Sequence, residues 1–134
     1  MYDFETPRLT FQFVSPRRII MGENSIASLG QIVKSYKVGK ALLVTDKVLR
    51  GLGALAPAVD SLELAGIDYD IYDDVEPNPT IANVESGIAM AKKDHFDIVI
   101  GIGGGSPLDV AKGISLMATN PGRVNDYLGM FLPV

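Results

Sequence analysis

Apolar residues follow two rhythms along this chain, and the switches between them mark out its elements. Unbroken apolar runs at Ala41-Leu42-Leu43-Val44-Thr45 and, after Asp97, at Ile98-Val99-Ile100-Gly101-Ile102 have the length and composition of buried strands. A third strand is predicted over Tyr69 to Tyr72. Between the strands the spacing is helical. Ile26, Leu29, Ile32, Val33 and Tyr36 recur after Ser25, which predicts a helix capped by that serine. A helical stretch follows the first buried strand and runs to about Ala65, with Gly66 as a helix-ending glycine. Glu76-Pro77-Asn78-Pro79 makes a turn, and Thr80 opens a helix carrying Ile81, Val84, Ile88 and Ala91. The last helix enters at Pro107, where proline sacrifices no hydrogen bond, and runs to about Ala118. Near the start Leu9, Phe11 and Phe13 alternate before Pro16 and Arg18-Ile19-Ile20-Met21 follows, which predicts two short strands around a turn, packed at one edge.

Three successive strand-helix units predict a doubly wound α/β fold: a mainly parallel sheet with helices on both faces, because right-handed crossovers put the helices there. The 134 residues read as a single domain, with no repeat and no linker. Mean hydropathy of +0.21 is on the apolar side and suggests a face that is covered by another domain or chain. No apolar run is long enough to span a bilayer, and the opening MYDFETPRL lacks the order of a secretory signal, so the expectation is a cytoplasmic protein with no membrane partner. The absence of cysteine excludes a disulfide framework and a thiolate nucleophile, and the single histidine, His95, excludes a histidine cluster. A net charge of -4 argues against nucleic acid as a partner.

The chemistry concentrates at Gly103-Gly104-Gly105-Ser106-Pro107-Leu108-Asp109, a strand-to-helix junction. Free N–H groups at a helix start, together with the helix dipole, make an anion site, and glycines let a phosphate approach without meeting a Cβ. The Ser106 hydroxyl is placed to donate to phosphate or to cap the helix. The loop is neither the usual dinucleotide fingerprint, since serine stands where G-x-G-x-x-G has its last glycine, nor a Walker loop, since Lys112 comes too late. Asp46, just past the first buried strand, can accept from both ribose hydroxyls and repel a 2′-phosphate; an N-cap for the following helix is the alternative. Asp109 reads either as a first-turn carboxylate suited to the helix dipole or as a group facing ribose and organising the loop. His95 falls just before a strand, away from the glycine loop, and reads as a surface residue; Asp73-Asp74 reads as solvated loop charge.

The segment Gly103 to Lys112 resembles the GGGSxxDxAK signature of the iron-containing (group III) alcohol dehydrogenases. Pro16 to Gly22, Val44-Thr45-Asp46, Pro77 to Thr80 and Ala118 to Gly122 extend the resemblance in the same order along the chain. The resemblance implies a two-domain enzyme that transfers hydride between an alcohol carbon and a nicotinamide. Its N-terminal, Rossmann-like (dehydroquinate-synthase-like) domain binds NAD(P), and a helical C-terminal domain binds Fe²⁺ or Zn²⁺. Carried onto this sequence, Gly103, Gly104, Gly105 and Ser106 hold the diphosphate, Asp46 the adenosine ribose, and Asn78 and Asp109 lie beside the cofactor pocket. An aspartate at position 46 implies NAD rather than NADP. Glycerol-dehydrogenase-like and dehydroquinate-synthase-like enzymes share the glycine loop, and the Ser-Pro-Leu-Asp-Val-Ala-Lys continuation favours the iron-type branch. The metal ligands of the family have no counterpart in this chain, so the expectation is a dinucleotide-binding domain without turnover of its own, completed by a C-terminal domain. The alternative is a non-catalytic interaction domain that docks another chain on its apolar face, Phe131 and Leu132 included. The N-terminal strands resemble those that pair across a dimer in the family, which implies a homodimer.

Overall fold

The computed structural model describes residues 16–127. Its sheet has β1 (Lys40–Val44) at the centre, between β2 (Asp68–Tyr72) and β3 (Ile98–Gly101), with both pairings parallel. Lys40 faces Asp68 and Val44 faces Tyr72 on one side, while Ala41 faces Ile98 and Val44 faces Gly101 on the other. The period of two explains why β1 is apolar at successive positions. Ala41 and Leu43 pack with Val33 of α1 (Leu29–Ser35) and Leu62 of α3 (Ala56–Leu64). Leu42 and Val44 pack on the opposite face with Val84 of α4 (Ile81–Asp94) and Val110 and Ile114 of α5 (Gly105–Thr119). Leu42 and Leu43 are fully buried, and each contributes roughly 2 kcal/mol. The doubly wound parallel sheet expected from the sequence is the fold observed. No helix of the described residues is long and apolar enough to cross a membrane.

Four local expectations are corrected. The helical stretch predicted through Ala65 is two helices, α2 (Lys47–Gly51) and α3, because Gly53 turns the chain at φ +70° and Pro57 sits in the first turn of α3. Ser25 does not cap: Asn24, in the left-handed region at φ 57°, precedes a 3₁₀ turn over Ser25–Ser28 that leads into α1. α5 begins at Gly105, so Pro107 is its third residue; the early N–H groups of a helix have no intrahelical acceptor, and proline is as harmless there. Arg18 to Met21 forms no strand, and Ile19, Ile20 and Met21 are exposed; among the described residues the run has no hydrogen-bonded neighbour, without which extended chain is not held. Its predicted partner over Leu9 to Phe13 lies outside the described residues, as do Phe131 and Leu132. The helix opening at Thr80 and the helix-ending Gly66 are as predicted; the structure adds a reciprocal capping box between Thr80 and Asn83 and has Gly66 following α3 at φ +70°. Past α5, Val124–Tyr127 forms a short α6.

At the end of the sheet opposite the glycine loop, one oxygen of Asp97 accepts from the N–H groups of Gly39 and Lys40, both at 2.9 Å. These two bonds hold its carboxyl below the ordinary value of 3.8. A depressed folded-state pKa stabilises the fold above the unfolded-state pKa, and that stabilisation disappears as pH falls through the folded value. Asp97→Asn is therefore expected to be less stable than wild type at neutral pH, with the gap closing in acid below about pH 4. Thermal melts of both chains across that range check this; a gap independent of pH would refute it. His95 lies at this same end, exposed, closing α4 in the left-handed region at φ 51°.

Candidate nucleotide-binding site

β1 leads through α2 to α3 on one face, and β3 leads to α5 on the other. Where neighbouring connections diverge in an open α/β sheet, a crevice opens beyond the carboxyl ends of the strands. Here it is a cleft of about 860 Å³, within the range of small-molecule sites. Asp46 to Leu49 form one wall, the β2–α4 loop from Asp73 to Pro77 another, and Gly104 to Pro107 at the start of α5 a third.

The four glycines of this region divide into two kinds. A Cβ at Gly101 would crowd Ala111 and Leu108 at 3.0 Å. At Gly103, where φ is +140°, it would meet Pro107 and Leu49 under 3.0 Å. Both positions are glycine for reasons internal to the fold. Gly104 and Gly105 are different: a Cβ at either would meet nothing within 4 Å, neither has a positive φ, and both line the cleft. Gly104 is the extended cap of the 15-residue α5, and Gly105 is its first residue. Bare backbone therefore faces the cleft at the positive end of a long helix dipole. The Ser106 hydroxyl does not cap α5; it donates to the Pro77 carbonyl at 2.7 Å and ties the glycine loop to the β2–α4 loop.

Asp46 caps α2, one carboxylate oxygen accepting from the Leu49 N–H at 2.8 Å, and the same side chain lines the cleft with its second oxygen available. Its backbone bridges in antiparallel fashion to Asp74. The Asp73-Asp74 pair is not free loop charge: Arg50 binds Asp73 at 2.8 Å, and Lys47 pairs with Asp74. Asn83, within the capping box, donates from Nδ2 to the Asp74 carbonyl at 2.9 Å, and its own carbonyl accepts from the Tyr72 hydroxyl at 2.7 Å. Burial pushes the Tyr72 phenol up. Gly104, Gly105, Ser106 and Asp46 thus meet at one cleft. Gly103 stands behind it, Asn78 is exposed in the β2–α4 loop, and Asp109 lies beyond the first turn of α5, paired with Lys112 at 3.1 Å; none of these three lines the cleft. Sequence reasoning missed Asp74 and Asn83. The Thr80 to Asn83 spacing was the available signal for Asn83.

Residues 16–133 match the family model described as iron-containing alcohol dehydrogenase, and the chain belongs to that family. It is 42% identical to 1,3-propanediol dehydrogenase of Citrobacter freundii over 90% of this chain and 32% of that protein. The crystal structure of a 1,3-propanediol oxidoreductase superposes with a TM-score of 0.85 at 40% identity, over 89% of this chain and 31% of that one. An NADH-dependent butanol dehydrogenase A from Thermotoga maritima gives a TM-score of 0.80 at 31% identity, over 87% of this chain and 30% of that one. The chain thus spans about a third of the length of the relatives it matches.

Proposed function

We propose that this chain is the NAD-binding part of an alcohol dehydrogenase that passes hydride between a primary alcohol or aldehyde and the nicotinamide. The observation that carries the reading is the pair Gly104-Gly105, glycines without an internal steric reason, opening onto a cleft at the start of α5. The free N–H groups of Gly105 and Ser106 bind the diphosphate, and the dipole of α5 adds to the attraction. The free oxygen of Asp46 accepts from the adenosine ribose hydroxyls, which favours NAD, since a 2′-phosphate would bring like charges together. NADH dependence in the butanol dehydrogenase relative agrees with this choice. Bound NAD supplies the hydride acceptor. On this reading iron or zinc and the alcohol pocket belong to a further domain; among the described residues no group of three or more His, Cys, Asp or Glu could hold a metal ion. Val48 on α2 and Leu52 just after it, 70% and 75% exposed, are the apolar surface that such a domain or a second copy covers.

Fluorescence titration with NADH and NADPH tests the reading. Saturable NADH binding is expected, weaker for NADPH, with no oxidation of added alcohol. Asp46→Ser is expected to weaken NADH about fivefold, as one charge-assisted hydrogen bond is exchanged for a neutral one. Binding of neither nucleotide would leave that apolar surface as the functional one and the chain as an interaction module.

A further inference from the structure

A second acid in this cleft has a part in choosing the nucleotide. Lys47 follows Asp46 directly, is the first residue of α2 and lines the cleft, so it is the cation nearest in the chain to the proposed ribose position. A lysine there would be expected to attract a 2′-phosphate. Instead its Nζ is engaged by a carboxylate oxygen of Asp74 across the cleft. Arg50, one turn further along α2, is matched in the same way by Asp73. The fold places the Asp74 carboxylate there independently of the ion pair: its backbone bridges to Asp46, and its carbonyl is held by Asn83. Asp74 raises the pKa of Lys47, and the charges of Asp73 and Glu76 add to that effect.

Resting on the reading of the cleft as a nucleotide site, we propose that Asp74 is a specificity-determining residue, which withholds Lys47 from a 2′-phosphate and so reinforces the discrimination exerted by Asp46. Both side chains are largely exposed, so the pair itself is weak. Its effect on specificity is larger than its strength, because replacing Asp74 removes a negative charge and releases a positive one at the same place.

The test measures dissociation constants for NADH and NADPH in wild type, Asp46→Ser, Asp46→Ser/Asp74→Asn, and that double variant with Lys47→Ala added. Relative to Asp46→Ser, the double variant is expected to shift the NADH/NADPH affinity ratio toward NADPH by about tenfold, as a change of one to two unit charges near a partly solvated phosphate implies. Lys47→Ala is expected to erase most of that shift. A ratio unmoved by Asp74→Asn, in chains that still bind NADH, overturns this inference and leaves the cleft assignment standing. A shift that survives Lys47→Ala undiminished overturns it as well. Failure of the wild-type chain to bind NADH overturns the cleft reading and the inference together.

Discussion

Gly104→Asp is expected to weaken NADH binding by at least a hundredfold while leaving the fold intact. The two halves of this expectation rest on different observations. An added Cβ meets nothing within 4 Å, and the backbone at φ -79° suits any residue, so the substitution introduces no strain. Aspartate is also among the best residues at a helix N-cap, which position 104 is, so thermal stability should hold or rise slightly. The same carboxylate would stand where the diphosphate is proposed to bind. Two unit charges about 4 Å apart at an effective dielectric of about 20 repel by about 4 kcal/mol, and even two-thirds of that is roughly a hundredfold in affinity. Titration with NADH beside a thermal melt separates the outcomes. Wild-type affinity in a folded variant would show that the glycine loop is not the cofactor site.

Gly30→Ala carries the largest expected effect on stability. α1 and α3 cross at this glycine, and an added Cβ would stand 1.9 Å from the Ser61 carbonyl oxygen and 2.8 Å from the Ala65 Cβ. A backbone oxygen on a helix cannot swing aside as a side chain can, so the helices must separate. Separation also breaks a buried relay in which the Gly30 N–H donates to Ser61 Oγ at 2.9 Å and that hydroxyl donates to the Ala27 carbonyl at 2.7 Å. Overpacking together with stranded polar groups puts the cost at about 3–5 kcal/mol, a large share of the stability of a small domain. Urea unfolding measures it, and a loss under about 1 kcal/mol would mean the crossing relaxes easily.

What could be read from the sequence divides along the range of the interactions. The central strand was legible because the unbroken apolar run of four from Ala41 to Val44 suits a strand covered on both faces. Gly103 to Ser106 and Asp46 were legible because a phosphate loop and a helix cap are local devices whose residues lie together in the chain. Asp73 and Asp74 read as solvated charge because their partners are remote: Arg50 is 23 residues from Asp73. Ser61 gave no signal at all, since its partners Gly30 and Ala27 become neighbours only when α1 and α3 cross. The break between α2 and α3 was obscured because the apolar spacing carries across Gly53, and a spacing pattern does not record a change of axis.

The position of β1 has a consequence for synthesis. Among the described residues it is the first strand made, yet it is the one that ends up enclosed on both edges, and the contact between Lys40 and Asp97 that accompanies its second pairing spans 57 residues. At translation rates of about 5–20 residues per second, the apolar segment from Ala41 to Val44 waits on the order of 3–10 seconds after synthesis before β3 exists to cover its open edge. During that interval no nucleotide can shelter it, because the glycine loop that completes the cleft is made after β3. One edge of the strand that anchors the sheet thus stays unpaired for a window fixed by strand order, whatever the final stability of the fold.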